Sequence, residues 1–224
     1  MAAELDGPRL PPKSGPAQQL VVFLHGYGAD GNDLIDIGRA WQQILPHAAF
    51  VSPHAPEPCA QAPVGRQWFS LSQRTAQESW NGVNKAAPVL EHFLGAELAR
   101  QKLPPTALAL VGFSQGTMMA LHVGMRRAAA PAAIVGYSGR LVVPPDVDAG
   151  AFAAGIRSRP PVLLVHGDRD DLIPPQALFQ ATQGLAALEV PVEWHLSPGI
   201  GHGIDGEGLR HGGEFLARRF GLRP

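Results

Sequence analysis

The sequence predicts an α/β protein with a mostly parallel central sheet and helices on both faces. Three observations carry that reading. Short apolar runs without polar alternation recur at 20–24, 48–51, 108–111, 132–137 and 162–166, as in strands covered on both sides. Helical patterns stand between many of these runs, the alternation that builds parallel sheets. Glycine- or proline-rich turns follow several strand ends, where open α/β sheets place their sites.

Residues 1–17 read as a loosely attached arm, and 18–224 as one domain. The first strand, 20–24, ends at His25-Gly26. Asn32 or Asp33 can cap a helix whose apolar positions Leu34, Ile37, Trp41 and Ile44 follow helical spacing. The strand 48–51 stops at Ser52-Pro53. The stretch 53–84 has weak periodicity, several prolines and the aromatics Trp68, Phe69 and Trp80, and reads as a long loop walling a pocket. A helix is expected over 86–102, then a strand at 108–111 and an apolar helix from Thr117 to about Arg127. A strand at 132–137 and another at 162–166 follow. A helix at 175–188, a last strand at 192–196 and a final helix reaching about Phe220 complete the pattern. No segment is long enough for a separate cap domain.

Composition narrows the function classes. A chain of 224 residues with 45% hydrophobic and 17% charged residues can bury a full core without metal or disulfide support. The net charge of −1 gives no bulk attraction to nucleic acid or to an anionic membrane. The longest apolar runs fall far short of the ~20 residues of a membrane span, so no stable membrane insertion is expected. The N-terminal stretch has no apolar core and carries Glu4 and Asp6, unlike a signal peptide. The single cysteine, Cys59, excludes an internal disulfide and a CxxC motif, and suits a reducing, cytoplasmic setting.

The strongest chemical signal is Gly112-Phe113-Ser114-Gln115-Gly116. It follows a buried strand and opens an apolar helix, the elbow that lifts a serine hydroxyl above a sheet. The glycines suit a tight turn between closely approaching backbones. A serine needs a base to take its proton. The expected order is serine, acid, histidine, and the chain supplies both partners downstream. His202 lies in a glycine-rich loop after the last strand and alone among nine histidines combines that place with that order. Asp168, Asp170 and Asp171 all follow the strand at 162–166, and spacing does not choose among them. Their cluster lacks the central glycine and terminal glutamate of an EF-hand, so no metal is expected. The loop His25-Gly26-Tyr27-Gly28-Ala29-Asp30-Gly31 can present backbone N–H groups to an oxyanion together with Gln115. Its glycines also fit a dinucleotide fingerprint, but the acid expected about 20 residues on is missing, so no cofactor is expected.

The chain over 18–222 resembles the phospholipase/carboxylesterase family of α/β-hydrolases, which includes the acyl-protein thioesterases. The resemblance rests on HGYGADG at 25–31, WFSL at 68–71, GFSQG at 112–116, HGDRDDLIP at 166–174 and GIGHGI at 199–204. It implies an α/β-hydrolase fold. It selects Asp170 as the acid, with Ser114 as nucleophile and His202 as base. It also implies the N–H groups of Tyr27 and Gln115 as oxyanion donors, and Trp68, Phe69 and Leu71 as substrate-pocket walls. One departure stands out. Where thioesterase-branch members tend to carry an aromatic, this chain has Arg140 in Tyr137-Ser138-Gly139-Arg140-Leu141. An arginine there argues against long acyl chains, and faces either an acidic substrate group or solvent.

The expectation is therefore a cofactor-free serine carboxylesterase acting on small-molecule esters, with short to medium acyl groups, and without nucleic-acid partners. A thioesterase or lysophospholipase using the same triad is the alternative within the enzyme class. A non-catalytic hydrolase-fold ligand module is the alternative outside it. A homodimer is compatible with the sequence, though no residue proves it.

Overall fold

The computed structural model describes residues 4–145 and 149–222. In chain order the elements are β1 (Arg9–Leu10), β2 (Gln19–Leu24), α1 (Asn32–Trp41), β3 (Ala48–Val51), β4 (Glu57–Pro58), β5 (Arg66–Gln67) and α2 (Ala76–Gln101). They continue with β6 (Leu108–Phe113), α3 (Gln115–Gly124), β7 (Ala133–Tyr137), α4 (Ala149–Ala154), β8 (Val162–Gly167), α5 (Gln176–Ala187), β9 (Val192–Ser197) and α6 (Gly206–Arg219). The main sheet has seven strands in the order β1-β3-β2-β6-β7-β8-β9. All neighbours are parallel except β1, which runs antiparallel to β3. β4 and β5 form a separate antiparallel ribbon.

The unalternated apolar runs have a simple cause. Successive side chains of a strand point to opposite faces, and here both faces are covered. In β2, Leu20, Val22 and Leu24 enter one core with residues of α2, α3 and α5, while Val21 and Phe23 enter the other with α1 and α6. The edge strand β9 is the exception, with Trp194 half exposed.

Four expectations are corrected. The segment expected as a loose arm is docked, though residues 1–3 lie outside the described residues, as do 223–224 of the expected domain. Arg9–Leu10 add an edge strand, Leu5 and Leu10 are buried, and Arg9 pairs with the buried Glu97 at 2.8 Å. The second helix starts at Ala76, not 86. Thr75 caps it by accepting the Glu78 N–H at 3.0 Å, and Glu78 in turn accepts the N–H groups of Gln73 and Arg74. Trp80 therefore sits on a helix instead of a loop. The first helix is preceded by Gly31, so Asn32 and Asp33 lie inside it and Ile44 beyond its end. The short α4 was not anticipated, and α3 ends at Gly124, one turn before Arg127.

Candidate active site

Ser114 sits between β6 and α3 with φ 53° and ψ −113°, a backbone conformation rare for a residue with a side chain. Its neighbours explain how the turn closes. A Cβ on Gly116 would stand 1.8 Å from the carbonyl oxygen of Leu24, and one on Gly112 2.4 Å from the backbone of Gly116. Only glycine allows the end of β2, the elbow and the first turn of α3 to meet so closely. The turn is also held from the next strand, because Ser114 N–H donates to Tyr137 O at 2.9 Å.

Ser114 Oγ lies 3.0 Å from His202 Nε2, and His202 Nδ1 lies 2.7 Å from Asp170 Oδ2. These side chains come from the ends of β6 and β8 and from the loop after β9. An ionised carboxylate only accepts, so His202 Nδ1 carries the proton toward Asp170, and Nε2 is left to accept from the serine hydroxyl. Asp170 is buried. Its Oδ1 accepts the N–H groups of Leu172 at 3.0 Å and Ile173 at 2.9 Å, which fixes the carboxylate plane. His166 Nε2 stands 3.2 Å from Asp170 Oδ2 and donates to Ile173 O at 2.8 Å, packing the acid from behind.

The competing aspartates have other work. Asp168 accepts the Gly199 N–H at 2.6 Å and so fastens the loop that carries His202. Asp171 is exposed. A Cβ on Gly167 would meet the carbonyl oxygens of Ile200 and Gly201 at 2.3 and 2.4 Å, so the glycine of HGD lets this loop lie on β8. Ser138 Oγ donates to Gly203 O at 3.1 Å on the other side of His202.

The Gly26–Tyr27 turn faces the same space. His25 is fully buried; its Nε2 accepts the Ala55 N–H at 3.0 Å, so Nδ1 holds the proton and donates to Gly26 O at 2.8 Å. Burial pushes its pKa down to about 4, which keeps the ring neutral. Gln115 contributes the first N–H of α3, one of the donors a helix leaves without an intrahelical partner. The dipole of α3 adds partial positive charge at the same point.

A cavity of about 710 Å³ opens over Ser114 and His202. Leu71, Met118, Leu172, Ile173 and Arg140 are among its walls. Of the three expected pocket residues only Leu71 lines it. Trp68 and Phe69 are corrected to core positions, 1% and 2% exposed. Their backbone is clamped by the Gln115 side chain, which accepts Trp68 N–H at 2.9 Å and donates to Phe69 O at 2.8 Å. Trp68 Nε1 donates to His25 O at 3.0 Å. These aromatics brace the elbow and the Gly26–Tyr27 turn from below instead of walling the pocket. Among the described residues one group could hold a metal, His195 with Glu207 and His211, and it shares no residue with the cavity.

The family model described as phospholipase/carboxylesterase matches residues 5–219. The chain belongs to the phospholipase/carboxylesterase family. Its fold is the α/β-hydrolase fold. A relative of this family member, esterase YpfH of Escherichia coli (strain K12), is 27% identical over 87% of this chain and 80% of its own length. Acyl-protein thioesterase 1 of Gibberella zeae is 25% identical over 89% of each chain. Among solved structures, esterase PE8 superposes with a TM-score of 0.90 at 41% identity, covering 96% of this chain and 99% of its own. Arabidopsis thaliana SOBER1 superposes at 0.78 over 91% of this chain and 99% of its own, but at 22% identity shares only the fold.

Sequence reading missed the Leu172–Ile173 N–H groups that hold Asp170, and the pocket residues Gln176 and Gln180 on α5. The LIP segment after the acids was visible, but nothing local shows that its N–H groups turn back onto a carboxylate.

Proposed function

We propose that this protein is a serine carboxylesterase in which Ser114 is the nucleophile, His202 the general base and acid, and Asp170 the group that orients the imidazole and stabilises its charged form. The observation that carries the reading is the chain of contacts from Ser114 Oγ to His202 Nε2 at 3.0 Å and from His202 Nδ1 to Asp170 Oδ2 at 2.7 Å. As Ser114 Oγ attacks the ester carbonyl carbon, its proton passes to His202 Nε2. The carbonyl oxygen becomes an oxyanion that accepts from the N–H groups of Tyr27 and Gln115. Asp170 stabilises the imidazolium without taking its proton. The Nε2–H then protonates the alkoxy oxygen, the C–O bond breaks, and the alcohol leaves an acyl-enzyme. Water, deprotonated by His202, attacks that acyl carbon; the bond to Ser114 Oγ breaks, His202 Nε2–H returns its proton to that oxygen, and the carboxylic acid leaves.

Esterase PE8 and esterase YpfH support the ester reading. The relatives named acyl-protein thioesterase favour a second reading, in which the same groups cleave a thioester. Arg140 in the cavity wall argues against long acyl chains and so favours short to medium acyl groups. A panel of ethyl butyrate, a long-chain acyl thioester and a lysophospholipid separates the readings. Higher kcat/KM on the short ester is expected, and a preference for either long-chain substrate would replace this reading. On the favoured ester, Ser114→Ala should lower kcat by about 10⁶, the scale found when a triad serine is removed.

A homodimer belongs to the same proposal. Its support is an exposed apolar face on which Phe179 and Trp194 meet edge to face at 5.5 Å. Sedimentation that stays monomeric at high micromolar concentration would remove it. A cytoplasmic setting, suited by the lone buried Cys59, is checked by cell fractionation.

A further inference from the structure

Arg140 follows β7 at the point where the chain turns over α3. Arg140 lines the same cavity as Ser114. It is held there by a neutral partner: Arg140 Nη2 donates to Ser79 Oγ at 2.8 Å, and that buried hydroxyl itself donates to Thr75 O at 3.0 Å. A guanidinium has five N–H donors in a planar fork. Only one of the five meets a protein acceptor among the described residues.

Among the described residues no carboxylate pairs with Arg140. Among the described residues no aspartate or glutamate lines the cavity, whereas a second cation, Arg74, does. Glu78, next to Ser79 on α2, spends both oxygens on Ser70, Ser72, Gln73 and Arg74 of the preceding loop. Burial pushes the Arg140 pKa below the usual arginine value, which marks a cation partly stripped of water and not repaid by an anion. Arg140 is only partly withdrawn from water, so its remaining N–H groups stay within reach of a ligand. A planar cation in the cavity wall, held through Nη2 and with its other donors unspent among the described residues, matches the two oxygens of a carboxylate.

We propose that the cavity selects esters that carry a free carboxylate, hemiesters of dicarboxylic acids, with that carboxylate bound by Arg140. The inference rests on the esterase reading above and adds the substrate class. Arg140 acts as a specificity residue, and Arg74 adds attraction at the rim.

The test compares kcat/KM for monoethyl adipate and ethyl heptanoate, chains of similar size that differ in the distal charge. In the wild-type enzyme the hemiester should be the better substrate. In Arg140→Gln the hemiester-to-neutral ratio should fall by about 10- to 100-fold, the scale of a hydrogen-bonded ion pair. Arg140→Lys, which keeps the charge but not the fork, should fall between them. The wild-type ratio should also decline as NaCl rises from about 0.05 to 0.5 M, because salt screens the attraction. This salt series needs no variant, so misfolding of Arg140→Gln leaves the proposal open to refutation. A ratio that is equal in wild type and Arg140→Gln, or indifferent to salt, overturns the substrate class while leaving esterase activity standing. A wild-type enzyme that cleaves neither ester overturns the esterase reading itself.

Discussion

Gly116 shows how much one missing Cβ matters to the site. It lies in the first turn of α3, and the carbonyl of Leu24 occupies the space a side chain would need, 1.8 Å away. Gly116→Ala must push the end of β2 from the elbow, and with it the turn that carries Tyr27. Overpacking of this kind costs about 1–3 kcal/mol, and a shift of about 1 Å in a reacting group can cost about 10² in rate. The expected outcome is a lower melting temperature together with a loss of kcat/KM of that order, read by thermal unfolding and ester hydrolysis. Full activity at an unchanged melting temperature would contradict the packing argument. At this scale the sequence was most informative where chemistry is local. The GFSQG turn announced its serine because glycine spacing and strand context coincide. The choice of Asp170 over Asp168 and Asp171 needed the family resemblance, since it depends on the N–H groups of Leu172 and Ile173 converging on one carboxylate. The pocket role expected of Trp68 and Phe69 failed because an aromatic next to a site can serve as its floor as well as its wall.

Among elements, β1 is the least expected. Two residues pair with β3, and Arg9 anchors them by reaching Glu97 on α2 at 2.8 Å. The Glu97 side chain is only 6% exposed, so removing its partner leaves a nearly buried carboxylate with Arg100 at 3.8 Å as its remaining cation. Loss of a fully buried pair costs about 3–5 kcal/mol. With Arg9 partly exposed and Arg100 in reserve, Arg9→Gln should cost about 1–3 kcal/mol in urea unfolding. A variant as stable as wild type would mean that strand pairing and the buried Leu5 and Leu10 hold the segment without the ion pair. The strand was illegible because two residues carry no periodicity and their partners lie far along the chain. The early start of α2 was legible in retrospect, as Thr75 and Glu78 form a capping pair. Gly82 inside the helix obscured it, and it is there because Phe69 packs where a Cβ would stand, 2.4 Å away.

At the scale of the whole molecule, the order of strands brings three chain segments together at the carboxyl ends of the strands of a sheet covered on both faces. The apolar runs alone gave the largely parallel sheet covered on both faces; the strand order and the cavity depend on contacts between distant segments that no local pattern records. Two buried histidines couple the assembled fold to pH. Burial pushes the pKa of His25 down to about 4 and that of His122, beside Arg126, to about 3. An unfolded histidine titrates near 6.5, so below that pH the unfolded chain binds protons that the folded protein refuses. Stability is therefore full above about pH 6.5 and falls as pH drops toward about 4. The His25 shift alone corresponds to about 3 kcal/mol at about 1.4 kcal/mol per pH unit. Urea unfolding at pH 7.5, 5.5 and 4.5 checks this, and a flat profile would contradict it. The central claim remains that a serine, a histidine and an aspartate from distant strand ends form one nucleophilic site. Its most direct test is intact and peptide mass spectrometry after treatment with a fluorophosphonate. One adduct per chain, located on Ser114 and absent from Ser114→Ala and from heat-unfolded protein, is expected. A folded protein that takes no label, or takes it on another residue, would contradict the claim.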